Sequence, residues 1–182
     1  PKPSSAASDV YKRQQIYGLT KGQTSPSSAK GFVTKSTPKG NIEKNVAPLE
    51  LALSSGATFV AQGFSSDIKA LTKMIEDAIH HDGFSFVNVF SPCVTYNKVN
   101  TYDWFKEHLT SIDDIEGYDI TDKQLAMKTV LDHESLVKGI VYQDTTTPSY
   151  ESQISELEHE ALAKRDIHIT EETFNDLTAQ FL

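Results

Sequence analysis

The sequence predicts an α/β protein with a parallel sheet and flanking helices. Two patterns carry that expectation. Ala57–Ala61 and Phe84–Phe90 are apolar runs of strand length, the second rich in aromatic and β-branched residues. Between them Ile68, Leu71, Met74, Ile75, Ala78 and Ile79 recur at the spacing of one helix face. Strand, helix and strand within about 35 residues make a βαβ unit, so the two strands run parallel and the crossover is right-handed.

The elements follow in order along the chain. Residues 1–8, Pro-Lys-Pro-Ser-Ser-Ala-Ala-Ser, have no periodicity and none of the apolar mass of a signal peptide. Residues 9–14, Asp-Val-Tyr-Lys-Arg-Gln, match the conceptual translation of a transposon adaptor end used in sequencing libraries. Residues 1–14 are therefore expected to be a non-native or disordered leader, with the native sequence resuming at Gln15; a natural polar tail is the alternative. Gln15-Ile16-Tyr17 has strand composition and runs into Gly18. From Thr20 to Asn45 the chain is Gly, Ser, Thr, Lys and Pro with few apolar residues. A loop near 25 residues in a compact domain is usually functional or disordered. A short helix is expected over Pro48–Ser55, capped by Asn45 and stopped by Gly56. The βαβ unit comes next, its helix opening at Ser65 or Ser66 and ending at Gly83. Tyr102–Leu109 and Asp122–Val137 read as helices, and Gly139–Tyr142 as a short strand at an edge. Tyr150–Lys164 and Thr170–Phe181 are acidic and weakly amphipathic, and suit a helical tail that folds over a surface or wraps a partner.

The chain has 182 residues, the length of one domain, with 17 basic and 25 acidic side chains and a net charge of −8. That balance argues against a general nucleic-acid binder, which needs clustered positive charge. No apolar run approaches the roughly 18 residues of a membrane span. One Cys excludes an internal disulfide framework and an all-Cys metal site, and the cytosol is the expected compartment. The charge is unevenly spread: residues 15–44 carry +4 and residues 45–182 carry −14. A local basic loop on an acidic body suggests one anionic ligand.

In open parallel sheets ligands sit beyond the carboxyl ends of the strands. Two loops are expected there. Tyr17-Gly18-Leu19-Thr20-Lys21-Gly22-Gln23 has glycines that let backbone N–H groups approach a phosphate, and a lysine that adds charge. It is not a P-loop, because no Gly-Lys-Ser/Thr follows at the required spacing; a plain flexible loop is the bland reading. Ser91-Pro92-Cys93 follows the second strand. A lone Cys is most often a small buried apolar residue. No His or Asp stands beside it as a base, which argues against a nucleophile. His80 and His81 at a helix end suit the helix dipole. His108, His133, His159 and His168 show no zinc spacing.

Both loops resemble one family. Gln15-Ile16-Tyr17-Gly18-Leu19-Thr20-Lys21-Gly22-Gln23-Thr24-Ser25-Pro26 is similar to the thiamine-diphosphate motif of the beta subunits of 2-oxoacid:ferredoxin oxidoreductases. Phe90-Ser91-Pro92-Cys93-Val94-Thr95-Tyr96-Asn97 resembles the same family's cysteine loop. The resemblance spans Gln15 to about Val141. It implies a thiamine-diphosphate-binding fold over residues 15–142, cut at its amino-terminal side, with residues 143–182 as a helical tail. It also implies a reaction. A 2-oxoacid such as 2-oxoglutarate, coenzyme A and oxidised ferredoxin give acyl-CoA, carbon dioxide and reduced ferredoxin, with an alpha subunit completing a heterodimer.

By the same resemblance Tyr17, Gly18, Leu19 and Thr20 line the cofactor, and Lys21 lies near the substrate as the catalytic residue. The Ile16 carbonyl and the Gln14 side chain face Mg²⁺, with Gln14 standing where the family has Asn. Cys93 corresponds to one ligand of a [4Fe–4S] cluster. The family's other three cysteines and its Gly-Asp-Gly magnesium motif precede this segment, so the chain is expected to bind the cofactor weakly alone. Two other readings stay open: another thiamine-dependent decarboxylase or synthase, and a non-catalytic interaction module whose basic loop meets an anionic partner.

Overall fold

The structure is a computed structural model and describes residues 8–18, 22–154, 164 and 168–181. Residues 1–149 and 150–182 form two separate units.

The first unit holds a five-stranded sheet. Its strands are β1 (Ser8–Arg13), β2 (Phe59–Phe64), β3 (Ser85–Phe90), β4 (Thr110–Ser111) and β5 (Val137–Gln143), in the spatial order β1-β3-β2-β5-β4. β1, β2 and β3 are mutually parallel, and their last residues Arg13, Phe90 and Phe64 lie level in the ladder. The expected βαβ unit is therefore present, with α2 (Ile68–His80) between β2 and β3. β5 departs from expectation. It runs antiparallel to β2 and is interior, covered on its far side by the two-residue β4. Its short apolar core gives no sign of direction; the helix before it returns the chain to the carboxyl edge of the parallel strands. β1 is a second departure: a paired strand runs through Ser8–Arg13, where the sequence suggests no element.

Three apolar clusters cover the sheet. On one face α2 packs Met74 and Ala78 on Phe59, Ala61, Val87 and Val89. Gly63 permits this approach, because a Cβ there would stand 2.7 Å from Leu71 Cδ1. On the other face α1 (Pro48–Ser54) and α4 (Lys123–Asp132) bring Leu49, Leu53 and Val130 to Val60 and Val141. Near the carboxyl ends α3 (Tyr102–His108) sets Phe105 against Phe64 and Phe90.

The helix starts differ from expectation by a few residues, for local reasons. Asp67, not Ser65 or Ser66, caps α2, accepting from the Ala70 N–H at 3.2 Å. Ala47 precedes α1 and makes no side-chain cap, so Asn45 does not serve there; Pro48 in the first turn starts the helix instead. Asp122 caps α4 through the N–H groups of Gln124 and Leu125. In the second unit Thr170 caps α5 (Glu171–Ala179), on which Phe174 and Leu177 are exposed.

Candidate functional site

Strand polarity brings the two loops together. Gln14 follows β1 and Ser91 follows β3, and the Ser91 N–H donates to the Arg13 carbonyl at 2.9 Å. The chain from Gln14 to Gln23 then closes on itself. Tyr17 N–H donates to the Gln23 carbonyl at 2.9 Å, and Gly22 N–H to the Tyr17 carbonyl at 3.2 Å. Gly22 sits at φ +89°, which glycine adopts without strain. Leu19, Thr20 and Lys21, expected to line the cofactor and meet the substrate, lie outside the described residues.

The cysteine loop presses directly on this turn. A Cβ on Gly18 would stand 3.2 Å from Cys93 Sγ and 3.7 Å from the Tyr96 ring, so a side chain there would push the cysteine loop back by a few tenths of an ångström. The Gln14 side chain lies on the same side, its Oε1 3.9 Å from that position. Buried Asn97 bridges the loops as well, its Nδ2 3.5 Å from the Gln14 carbonyl. Of the residues singled out in the sequence, Gln14, Gly18 and Cys93 therefore converge. Tyr17 is half exposed. Consecutive residues open on different cavities. Gln15 lines one of about 480 Å³ with Arg13, Lys44 and Trp104, whereas Ile16 lines one of about 390 Å³ with Gly22, Val33 and Tyr96.

Electrostatics at Cys93 favour the thiolate. Burial works to raise the thiol. The backbone N–H groups of Tyr96, Thr95 and Asn97 and the charge of Lys98 outweigh it and bring the pKa below the ordinary value. Arg13 is in the opposite situation. It is 3 % exposed, its Nε has no hydrogen-bond partner, and burial pushes the guanidinium down to about 10, against a weak pull from Tyr11. It lies 5.3 Å from the Phe90 ring centroid, a cation–π contact. Gln15, at φ +57°, likewise has a buried Oε1 without a partner.

The donor types fit parts of the groups that the family resemblance implies. Gln14 and Ile16 offer neutral oxygens, the kind that Mg²⁺ accepts beside diphosphate oxygens. Cys93 offers a sulfur whose anionic form the N–H groups of Tyr96, Thr95 and Asn97 favour, as a cluster sulfur needs. Among the described residues no three His, Cys, Asp or Glu side chains gather into a metal site.

The long loop after the turn is ordered, which its composition did not suggest. Ser28, fully buried, and Asn41, nearly so, hold it. Neither was singled out in the sequence, and an isolated Ser or Asn among loop residues carries no periodic signal that would mark it.

Comparison with known proteins agrees with this geometry. Residues 12–89 match the family model of the thiamine pyrophosphate enzyme C-terminal TPP-binding domain. Residues 93–159 match that of the C-terminal part of the pyruvate ferredoxin oxidoreductase beta subunit. A 2-oxoacid:ferredoxin oxidoreductase subunit beta from a Sulfolobus species is 39 % identical over 149 residues, covering 76 % of this chain and 49 % of that protein. The KorB subunit of a Mycobacterium tuberculosis 2-oxoglutarate oxidoreductase is 45 % identical over 83 residues, 46 % of this chain and 22 % of that one. A solved 2-oxoglutarate:ferredoxin oxidoreductase from Magnetococcus marinus, with 2-oxoglutarate, coenzyme A and succinyl-CoA bound, superposes with a TM-score of 0.79 at 30 % identity. That match covers 93 % of this chain and 57 % of the solved one.

The fold and the paired loops define the class, a thiamine-pyrophosphate-enzyme domain. Within it, the chain belongs to the family of 2-oxoacid:ferredoxin oxidoreductase beta subunits. It spans about half the length of the curated relatives it matches.

Proposed function

We propose that the chain supplies the diphosphate-facing part of a thiamine-diphosphate site in a 2-oxoacid:ferredoxin oxidoreductase. The reaction is oxidative decarboxylation of a 2-oxoacid such as 2-oxoglutarate to its acyl-CoA. An alpha subunit and ferredoxin are the protein partners, and coenzyme A is the acyl acceptor. The observation that carries this reading is the contact between Gly18 and Cys93. It joins a glycine turn suited to diphosphate and a cysteine sulfur suited to a cluster at one sheet edge.

When bound, thiamine diphosphate supplies the electron sink for decarboxylation. The chain's own residues bind and orient. The Ile16 carbonyl and the Gln14 amide oxygen would meet Mg²⁺, and the turn at Gly18 and Gly22 would let backbone approach the diphosphate. Lys21 would meet the substrate carboxylate as a cation. Cys93 would hold one corner of a [4Fe–4S] cluster, its thiolate stabilised by the N–H groups of Tyr96, Thr95 and Asn97.

Calorimetric titration with thiamine diphosphate tests the binding role. Heat that depends on Mg²⁺, with a dissociation constant weaker than micromolar, is expected, because Gln14 and Ile16 would supply only two neutral oxygens to an octahedral ion. Absence of any Mg²⁺-dependent heat at millimolar cofactor overturns the reading. Sub-micromolar binding overturns the claim that this chain supplies only part of the site.

A further inference from the structure

The loop from Thr24 to Val46 is tied down by polar contacts rather than by a core. Ser25 N–H donates to Ser28 Oγ at 2.9 Å, and Val46 N–H to the Pro26 carbonyl at 2.8 Å. Asn41 donates from Nδ2 to the Ser28 carbonyl at 3.2 Å and the Glu43 carbonyl at 3.3 Å. The Asn41 backbone pairs with Gly31 and Phe32. Gly40 fits only as glycine, because a Cβ there would stand 2.9 Å from the Gly31 carbonyl oxygen.

A side-chain bond joins this loop to the turn that follows β1. Ser28, at 0 % exposure, donates its hydroxyl to the Gln15 carbonyl at 2.6 Å. Gln15 is in the left-handed region at φ +57°, a conformation that a non-glycine residue keeps only where its surroundings hold it. The peptide unit is planar, so fixing the Gln15 carbonyl also fixes the Ile16 N–H on its opposite side. It thereby sets the entry direction of Ile16, whose own carbonyl is the next along the chain.

We propose that Ser28 is a positioning residue of the cofactor site. Its hydroxyl sets the Gln15–Ile16 peptide and so aims the Ile16 carbonyl at the diphosphate-bound metal ion. This rests on the thiamine-diphosphate reading above. The loop that looks like a spacer in composition is then a buttress, with Ser28 at its point of contact and Asn41 holding Ser28 in place.

The test uses Mn²⁺ in place of Mg²⁺, with millimolar thiamine diphosphate, on the ¹⁵N-labelled 182-residue chain. Paramagnetic broadening of the Tyr17 and Gly18 amides reports the metal's position. Ser28→Ala is expected to weaken the Mn²⁺–cofactor titration by about fivefold, the scale of one lost hydrogen bond. It should also speed hydrogen exchange at the Tyr17 and Gly22 amides. Ser28→Thr, which keeps the hydroxyl, should restore both. Ser28→Cys, nearly the same shape with a weak donor, should fall between and provides the measurement if the alanine variant does not fold. Unchanged broadening in Ser28→Ala or Ser28→Cys overturns the proposal and leaves the cofactor reading standing. Equal loss in Ser28→Thr and Ser28→Ala also overturns it, because the hydroxyl is then not the cause. No broadening in the parent chain overturns the cofactor reading and the proposal with it.

Discussion

β1 and β3 are neighbours of equal length, paired residue for residue from Ser8 with Ser85 to Arg13 with Phe90. Each delivers a loop to the same place. Their surroundings differ sharply. Five of the six β3 residues are buried, whereas in β1 only Arg13 is. The last rung shows the contrast best. Phe90 packs on Phe64 and Phe105, while its partner Arg13 places a charge in the interior with Nε unbonded. β3 is specified by its own apolar side chains. β1 is specified by its neighbour's open edge, through main-chain hydrogen bonds that accept almost any sequence. A strand can thus aim a functional loop without contributing much to the core.

Four substitutions probe this contrast, and the largest effect belongs to β3. Phe90→Ala should destabilise the first unit by about 3–5 kcal/mol in urea unfolding, the usual range for a buried aromatic. A loss below about 1 kcal/mol would place β3 on the same footing as β1. Next is Gln62 of β2, level with Asn88 of β3. It donates to the carbonyls of Ser135 at 2.7 Å and Val137 at 2.6 Å and accepts from Asn88. Gln62→Leu strands both carbonyls and should cost about 2–4 kcal/mol. Arg13→Leu should act in the opposite direction, stabilising by about 1–3 kcal/mol as an unpaired buried cation is removed. Thermal melting checks the sign, and a destabilised variant would show that the Phe90 contact outweighs the desolvation. Val10→Ala, at a position 46 % exposed, should fall within about 0.5 kcal/mol of the parent chain.

A fifth expectation concerns the loop beyond β3. Iodoacetamide should alkylate Cys93 with a pH midpoint below that of a cysteine in an unstructured peptide measured alongside. A midpoint above that value would mean that burial wins over the Tyr96, Thr95 and Asn97 N–H groups.

The same contrast explains which elements were legible in the sequence. α2 was, because the residues that pack on the sheet, Leu71, Met74 and Ala78, recur at helical spacing, although Ile68 and Ile79 of the same apolar pattern are exposed. β2 and β3 were, because both faces of each are covered. β1 was not, because Asp9, Tyr11 and Lys12 lie in the ladder without being buried. The antiparallel direction of β5 was hidden for a related reason: a run of apolar residues has no arrow. At the site, the meeting of Gly18 with Cys93 follows from strand polarity once both loops are known to leave parallel strands. Spacing alone gave each loop only a weak signal, and resemblance made them one site. Ser28 and Asn41 escaped notice because a buried hydrogen bond between distant loop residues leaves no local pattern.

The register of β1 also has a consequence in time. Ser8 meets Ser85, so β1 leaves the ribosome well before any residue of its partner exists. At about 5–20 residues per second, the delay is roughly 4–15 s. Parallel pairing at such separation closes late, after the loop-closure entropy has been met by other contacts. The segment that aims Gln14 and Ile16 is therefore made well before the strand it pairs with, and seats only once that strand is in place. Its hydrophilic surface is then useful: a polar strand can wait in water without sticking to its neighbours.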